Sequence, residues 1–509
     1  MRNTYKKLSI FCGILVFISL SSCKKLLEQV PKNSTYLQVF WKNANDARYA
    51  IAGNYSLLRA AANSYNDRYY MYGEAVAKNY FTIQYNGDGL EGIQGGDYTF
   101  QYNLQNLGNY TNYYKAIAMS NTVIKNVSKM TDDQLSTEDN PTAFRNNILG
   151  QALFLRALSY FMMVRVWGDV PIVTEAYDDV INAPQLPRSP KADVMKLIED
   201  DCHKAAGLLT WSYANVGDAK VTANTGAVYA LLAHLYLWRA TMLDVSSPTV
   251  PVANLTDVAS ADTTINALMS RGGYALVDTS KYKSIFVGRT SESIFEFNMS
   301  ENTLEGSNGS IGINFLNQSY INQGTTNPRD FVVPAYLNEH YGDGSTDIRF
   351  KNNFALVGTT QPMCIKYNNI IYRNLAQQLD PYLSNNMIIF RFSDFVLLKA
   401  EIALYRGDKA TAITIINNWR MRNDKNPSLI DDSWTLADVF YEYGIERGKE
   451  FYLEGEIFYD LLRTREYQNH VDWLQDTRFQ AEGYYWPLDP ALFQQNPSLK
   501  QTKYWLGKV

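Results

Sequence analysis

Hydrophobic side chains recur along most of the chain at the three- and four-residue intervals that are typical of α-helices. The segment 144–167 is apolar on nearly every side, which indicates a helix buried in a core, and Gly168 ends it. A second helix is predicted to begin at Ser189, as its N-cap, with Pro190 in the first turn. A third helix is predicted over 222–243.

One pair of helices joined by a tight turn is the clearest local unit. Residues 393–423 contain a predicted helix, an Arg-Gly-Asp turn at 406–408 and a second helix, which is the local plan of a tetratricopeptide unit. Ala400 and Ala410 match the small positions that let two such helices approach each other. The predicted fold class is therefore mainly α, a tetratricopeptide-like helical array with long irregular ligand-binding loops.

Two long segments, 79–112 and 298–345, lack the helical pattern. Both are rich in Gly and Asn, with Tyr and Gln added in the first and Ser and Thr in the second. Loops of this length on a compact scaffold are usually functional or disordered. We therefore expect a ligand site in these two segments.

The N-terminus has the pattern of an export signal. A basic flank containing Arg2, Lys6 and Lys7 precedes an apolar run over 8–20 that is too short to span a bilayer. The sequence Leu-Ser-Ser-Cys at 20–23 is similar to a bacterial lipobox, in which cleavage leaves the cysteine as a lipid-modified N-terminus. We predict a signal peptide over 1–22 and lipidation of Cys23. The alternative is an ordinary signal peptide with an incidental cysteine.

Charge narrows the choice of partners. The formal net charge is −4, from 47 Lys and Arg against 51 Asp and Glu, and no long run of like charge occurs. This balance argues against nucleic acid as a partner, because such proteins carry a basic patch. No basic membrane patch follows Lys24 and Lys25, and no later stretch resembles a membrane span. The lipid is therefore the only membrane anchor that we predict.

The four cysteines leave one question open. Cys12 lies in the predicted signal and Cys23 is the predicted lipid attachment site, so Cys202 and Cys364 remain. These two side chains either form a disulfide or are free thiols, and the sequence is compatible with both.

Catalytic signatures are nearly absent from the sequence. It has no HExxH, paired CxxC, GxSxG or phosphate-binding glycine-rich motif, and its four histidines are scattered. Oxygen ligands alternate over 343–347 as in a calcium loop, but the downstream glutamate is missing, and a plain turn is the simpler interpretation. We predict no cofactor and no metal site. A glycosidase carboxylate pair stays open, because its spacing is spatial.

Several ordered segments together resemble the SusD/RagB family, surface lipoproteins of Bacteroidetes that partner SusC-type TonB-dependent transporters. Each motif alone is weak, but their order along the chain is specific. The segments are LLEQVPKN (26–33), FWKNANDARYAIAGNYSLL (40–58), ALFLRALSYFMMVRVWGDVPIV (152–173), RSPKADVMKLIEDDCHKA (188–205), TANTGAVYALLAHLYLW (222–238), DIR (347–349), FRFSDFVLLKAEIAL (390–404), ERGKEFYLEGEIFYDLLR (446–463), YYWPLDP (484–490) and NPSLKQ (496–501).

The resemblance implies a function and a domain plan. It implies a protein of the outer membrane surface that captures an oligosaccharide or a peptide and delivers it to a SusC-like transporter by closing like a lid. It implies no enzymatic activity. The expected regions are an N-terminal SusD-like part over 23–220 and a C-terminal SusD/RagB part over 221–509, which form one continuous helical unit.

Charged residues within these motifs are predicted to be structural. Buried ions persist when they are paired, and their pairing fixes how helices align. We therefore expect ion pairs or helix caps from Arg156, Asp169, Asp394, Glu401, Arg447, Glu450 and Asp460.

The ligand contacts are predicted from chemistry, because the family's binding loops have no transferable motif. A glycan offers C–H faces and hydroxyl rims, which suit aromatic rings flanked by amides and carboxylates. The chain has 37 Tyr, 23 Phe and 9 Trp, although a helical core would use them equally well. The predicted ligand-binding residues are Asn79, Tyr80, Tyr85, Asp88, Tyr98, Tyr102, Phe315, Asn317 and Tyr320.

Two functions from other classes remain as alternatives. One is an exported lipoprotein glycosidase, which would cleave a saccharide between two carboxylates. The other is a tetratricopeptide-type adaptor that faces the periplasm and binds proteins.

Overall fold

A computed structural model describes most of the chain after residue 39. The described residues are 40–77, 79–85, 87, 89–177, 183–213, 215, 217–299, 311–317, 320–321 and 328–509. The predicted signal peptide, Cys23, Asp88 and the side chain of Tyr102 lie outside this description.

The N-terminal half is a layered set of helices. The helices are α1 (Ala44–Tyr70), α2 (Gln101–Asn106), α3 (Thr111–Val127), α4 (Pro141–Trp167), α5 (Lys191–Leu208), α6 (Thr225–Met242) and α7 (Leu255–Arg271). Helix α4 packs against α1, α3 and α5, and α6 packs between α5 and α7.

Helix α4 is the central helix, as its sequence predicts. Its side chains are buried from Gly150 to Trp167, and Gly168 ends it with a positive φ of 68°. At its start, the Asn140 side chain accepts a hydrogen bond from the Ala143 backbone N–H. Of the helices in the described residues, α4 alone is long and apolar enough to cross a membrane, but 89% of its most apolar window is buried inside the protein.

The C-terminal half is also mainly helical. The helices are α8 (Ser284–Val287), α9 (Gly312–Phe315), α10 (Pro334–Tyr341), α11 (Ile348–Asn353), α12 (Phe392–Tyr405), α13 (Lys409–Asn423), α14 (Leu436–Glu450), α15 (Ile457–Thr464), α16 (Tyr467–His470), α17 (Asp476–Gln480) and α18 (Pro490–Gln495). Helices α12 and α13 form the predicted hairpin, and α14 packs against both around a second apolar cluster that contains Leu397, Ile416 and Trp419.

Strands are short, and each pairs with a single antiparallel partner. The pairs among the described residues are β1 with β3, β2 with β8, β4 with β5 and β6 with β7. The strands are β1 (Phe81–Ile83), β2 (Ser293–Phe297), β3 (Asp330–Val332), β4 (Phe354–Ala355), β5 (Met363–Cys364), β6 (Ile370–Asn374), β7 (Leu379–Leu383) and β8 (Met387–Arg391). The mainly α, tetratricopeptide-like prediction is thus confirmed.

The structure corrects two sequence expectations and answers the open question about the cysteines. The N-cap of α5 is Pro190 rather than Ser189, and the Asp169 carboxylate accepts from the Lys191 backbone N–H at 2.7 Å. Cys202 and Cys364 are both buried free thiols. The two segments expected to be irregular also contain short regular elements, because β1, α2, β3, α9 and α10 all lie within them.

A buried network of arginines and carboxylates links the C-terminal elements. Arg447 pairs with Asp394 on α12 and, at 2.7 Å, with Asp460 on α15. Asp460 also pairs with Arg463, which in turn contacts Glu401 at 2.8 Å. All five side chains are almost completely buried. The prediction that these charges are structural is therefore confirmed.

A second buried cluster of arginines and carboxylates reaches the sheet strands, and the ring of Phe451 lies between Arg391 of this cluster and Arg447 of the first. Arg391, at the end of β8, contacts Glu450 at 2.7 Å and Glu454 at 2.6 Å, and Arg349 on α11 contacts Glu450 at 3.1 Å. Burial acts to raise the pKa of Glu450, but the two arginines outweigh it and hold that pKa at about 2. The carboxylate therefore stays ionised at physiological pH.

We predict that Arg447→Met lowers the free energy of unfolding by about 3 to 5 kcal/mol, because it leaves buried carboxylates short of a partner. Urea denaturation followed by circular dichroism measures this loss. The matched control is Arg373→Met, since Arg373 forms an exposed pair with Asp380 at 3.1 Å. That variant should change stability by less than about 1 kcal/mol. Equal effects of the two variants would contradict the structural role of the network.

Candidate functional site

The two segments predicted to bind ligand meet in the structure. Strand β1 from the first pairs antiparallel with β3 from the second, with Phe81 opposite Val332 and Ile83 opposite Asp330. The ladder continues at both ends, because Gln84 N–H donates to the Arg329 carbonyl and Val333 N–H donates to the Tyr80 carbonyl. The pairing makes one continuous surface from two distant parts of the chain.

The free edge of β1 is held by a side chain. Gln94 Nε2 donates to the Phe81 carbonyl at 2.7 Å, and Gln94 Oε1 accepts from the Ile83 N–H at 3.0 Å. A buried amide that satisfies one donor and one acceptor takes the place of a third strand. The sequence gives no signal for this role, since an isolated Gln in a glycine-rich stretch has many possible partners.

Tyr98 anchors the first segment to the C-terminal end of the chain. Its ring stacks on Trp486, with centroids 4.2 Å apart and an interplanar angle of 5°, and its edge meets Trp473 at 5.4 Å. The guanidinium of Arg478 lies 4.3 Å from the Trp473 ring and donates to the Gly96 carbonyl at 2.8 Å. Tyr98 is fully buried, so its ring faces protein rather than solvent.

Tyr80 anchors the same segment at a second point. Its ring packs against Tyr336 at 5.2 Å, His340 at 5.6 Å and His470 at 6.1 Å. Tyr441 stacks on His470 from the other side, at 5.9 Å and 12°. This aromatic cluster joins the start of β1 to α10, α14 and α16.

Both histidines of the cluster favour their neutral form. Each is at least 97% buried, and burial lowers the pKa of both. His340 Nδ1 lies 3.2 Å from the Tyr336 carbonyl, where a ring N–H would donate. Glu339 opposes the shift of His470, and its carboxylate also lies 3.6 Å from His340 Nδ1.

Exposed rings follow the anchored strand. Tyr85, two residues after β1, has 78% of its surface exposed, and Phe100 has 44% exposed. Phe100 lies against Gly89, where a Cβ atom would come within 2.5 Å of the ring, so only glycine fits beneath it. On the second segment, Ile313 is 44% exposed.

The structure distributes the predicted ligand residues over three environments. Tyr80, Tyr98 and Phe315 are in the core, which corrects the expectation that their rings are exposed; Phe315 packs edge-on against Phe81 at 5.3 Å. Tyr85 is open to solvent, and Asn79, Asn317 and Tyr320 are half-buried. Asp88 and the Tyr102 side chain lie outside the described residues. Phe100 is an exposed ring that the sequence reasoning missed.

This surface has the properties of a binding platform. Tyr85 follows a strand that is paired on one edge and held by Gln94 on the other, and Phe100 follows the buried Tyr98 by two residues, so little order has to be imposed near these rings when a ligand arrives. Among the described residues, no group of three His, Cys, Asp or Glu side chains is arranged to hold a metal ion.

Family models match two large parts of the chain. A model described as "Starch-binding associating with outer membrane" matches residues 27–237, and a model described as "SusD family" matches residues 316–505. Together they cover more than three quarters of the sequence.

Relatives match along nearly the whole length. The chain is 24% identical to SusD-like protein P38 of Formosa agariphila, over 98% of this chain and 99% of that protein. A SusD homologue from Bacteroides thetaiotaomicron has a TM-score of 0.78 at 23% identity, covering 91% of this chain and 98% of that one. NanU of Bacteroides fragilis has a TM-score of 0.70 at 22% identity, covering 93% and 99%. The structural likenesses establish the fold.

We predict that acid destabilises the protein from about pH 6.5 downward through the two buried histidines. Because the fold lowers their pKa values, the unfolded chain takes up protons first, so the stability that the two histidines contribute is complete above the unfolded value of 6.5 and falls below it. Glu74 opposes this trend, because burial raises its pKa to about 8 and the folded chain therefore binds its proton more tightly than the unfolded chain. The slope should approach about 1.4 kcal/mol per pH unit for each histidine. Urea unfolding between pH 7.5 and 5.5 measures it.

The variant His470→Phe tests the source of this slope. Phenylalanine keeps the stacking on Tyr441 and cannot be protonated, so the slope should fall by about half. The control His203→Gln alters a side chain that is 60% exposed and should leave the slope unchanged. An unaltered slope in the His470→Phe variant would refute the prediction.

Proposed function

The chain belongs to the SusD/RagB family, and we propose from this premise that it binds an oligosaccharide at the cell surface and passes it to a SusC-like TonB-dependent transporter. The exposed rings of Tyr85, two residues after β1, and of Phe100, which lies against Gly89, carry the glycan part of the proposal. No bond is made or broken in this function.

The chemistry of the platform supports a glycan as the ligand. Sugar rings present C–H faces that stack on aromatic rings, and their hydroxyl groups bond to amides and carboxylates. Tyr85 and Phe100 offer rings, and the half-buried Asn79 lies six residues before Tyr85 in the sequence. The family description "Starch-binding associating with outer membrane" points to the same ligand class.

The position on the membrane follows from the N-terminus. Lipidation of Cys23 would attach the mature chain to the outer membrane, which agrees with the membrane association in the family description. The broad helical scaffold would then dock on the transporter and close over it as a lid, with the bound glycan held between the two proteins.

We predict that Tyr85→Ala combined with Phe100→Ala weakens glycan binding by about five- to 150-fold, because it removes two stacking surfaces of about 0.5 to 1.5 kcal/mol each. Isothermal titration calorimetry with maltoheptaose, xylohexaose and cellohexaose measures the affinity. The control is Tyr49→Ala, which removes a ring that is 68% exposed on α1. Equal affinity of the double variant and the wild type for a glycan that binds would place the ligand elsewhere.

We predict that the full-length protein co-purifies with a TonB-dependent β-barrel from gently solubilised outer membranes. Affinity purification with mass spectrometry identifies the partner. Cys23→Ala should release the protein from the membrane fraction, whereas Cys12→Ala, which changes the signal region alone, should not. Recovery of the wild type without any barrel would contradict the transport role.

A further inference from the structure

A cavity lies beside α10, and His340, which packs on Tyr80, is part of its lining. It has a volume of about 320 Å³, and its walls come from the end of α10, the connection between α13 and α14, and α14 itself. Tyr441 on α14 closes one edge by donating to Glu339 on α10 at 2.9 Å. The floor is Arg420.

Protein groups occupy three of the five N–H donors of Arg420. Its Nε donates to Glu446 at 3.1 Å, its Nη1 donates to the Ser428 carbonyl at 2.9 Å, and its Nη2 contacts Glu442. The carboxylates of Glu446 and Glu442 offset the charge of the guanidinium, so Arg420 does not give the cavity an unbalanced positive charge. Its two remaining N–H groups can donate to a neutral hydroxyl group.

Lys449 is in the opposite situation. Lys449 lines the same cavity, and in the described part of the chain its ammonium group forms no ion pair with a carboxylate. It lies 5.4 Å from the centroid of the Tyr341 ring, and burial lowers its pKa. A half-buried ammonium without an oxygen partner has three donors to offer to a ligand.

The remaining lining is mixed in charge and rich in acceptors. Carboxylates of Glu339 and Asp424, the amide of Asn426 and the ring of Tyr441 surround Lys449. An anionic ligand would meet the carboxylates, and a cationic ligand would meet Lys449 and Arg420. A neutral ligand with hydroxyl groups can accept from the ammonium, donate to the carboxylates and place a C–H face on a tyrosine ring.

We propose that this cavity is a second glycan subsite, which takes a neutral sugar unit through hydrogen bonds to Lys449 and Glu339 and packing on Tyr441. The inference rests on the proposed glycan-binding function, and it adds a place where the same chain contacts its ligand. Only Val333 separates β3, which pairs with β1, from α10, so the strand pair next to Tyr85 is joined directly to one wall of the cavity.

The test is calorimetric titration of the mature protein with maltoheptaose, xylohexaose and cellohexaose, using variants of each subsite. Lys449→Met keeps the aliphatic stem and removes the ammonium, and Lys425→Met is its control, because Lys425 is an exposed neighbour outside the cavity lining. We expect Lys449→Met to weaken binding at least fivefold and Lys425→Met to leave it unchanged. Added to Tyr85→Ala and Phe100→Ala, Lys449→Met should abolish the residual binding.

The outcomes separate the two claims. Unchanged affinity in Lys449→Met, with loss in the Tyr85→Ala and Phe100→Ala variant, would overturn the second subsite and leave the proposed function standing. Loss in Lys449→Met alone would support the cavity and move the principal ligand site to it. A wild type that binds none of the three glycans would overturn both. Thermal unfolding of Lys449→Met checks that the variant is folded.

Discussion

The buried arginine–carboxylate network is the constraint on which the rest of the structure depends. An ion in the protein interior is costly unless it is paired and hydrogen-bonded, so each charge can occupy only the position that its partners define. Arg447 reaches Asp394 and Asp460, which lie on two different helices, and Arg391 reaches Glu450 and Glu454 from the end of a strand. Sliding any one helix by a turn would leave several buried charges without partners.

The buried charges also adjoin the segment that leads into the proposed glycan platform. The turn after α14, at 451–455, follows directly from Glu450, and its Leu453 and Gly455 N–H groups donate to Glu74 at 2.7 and 2.6 Å. Glu74 lies in a π-helical turn, Met71–Ala75, that continues α1. At Gly73 a Cβ atom would come within 1.9 Å of the Gly455 carbonyl oxygen, so the two backbones touch. The segment that contains Tyr80 and β1 therefore follows, a few residues later, a helical turn that is buried and hydrogen-bonded to the 451–455 turn.

Local patterns predicted the scaffold well, because the periodicity of a helix is visible within a short stretch of sequence. The apolar run that became α4, the α12–α13 hairpin and the structural role of Asp394 and Arg447 all follow from short-range signals. The sequence was a poorer guide to which aromatic residues of the 79–112 segment are exposed. Tyr98 stacks on Trp486 and Tyr80 packs on His470, and no local pattern distinguishes a tyrosine with such a distant partner from one that faces solvent. Burial at these positions is a property of the tertiary fold.

The separation between anchoring and exposed aromatic residues explains how one segment can be both rigid and open. The rings of Tyr80 and Tyr98 pack on the scaffold, and the Gln94 side chain hydrogen-bonds the edge of β1, so protein contacts alone hold these three points of the segment. Tyr85 and Phe100 can then remain exposed at little cost to stability, because the core is filled without their rings. Under the proposed function, binding depends on the positions of these exposed rings. Those positions depend on the segment's contacts with the scaffold, whose helices are aligned by the buried ion pairs.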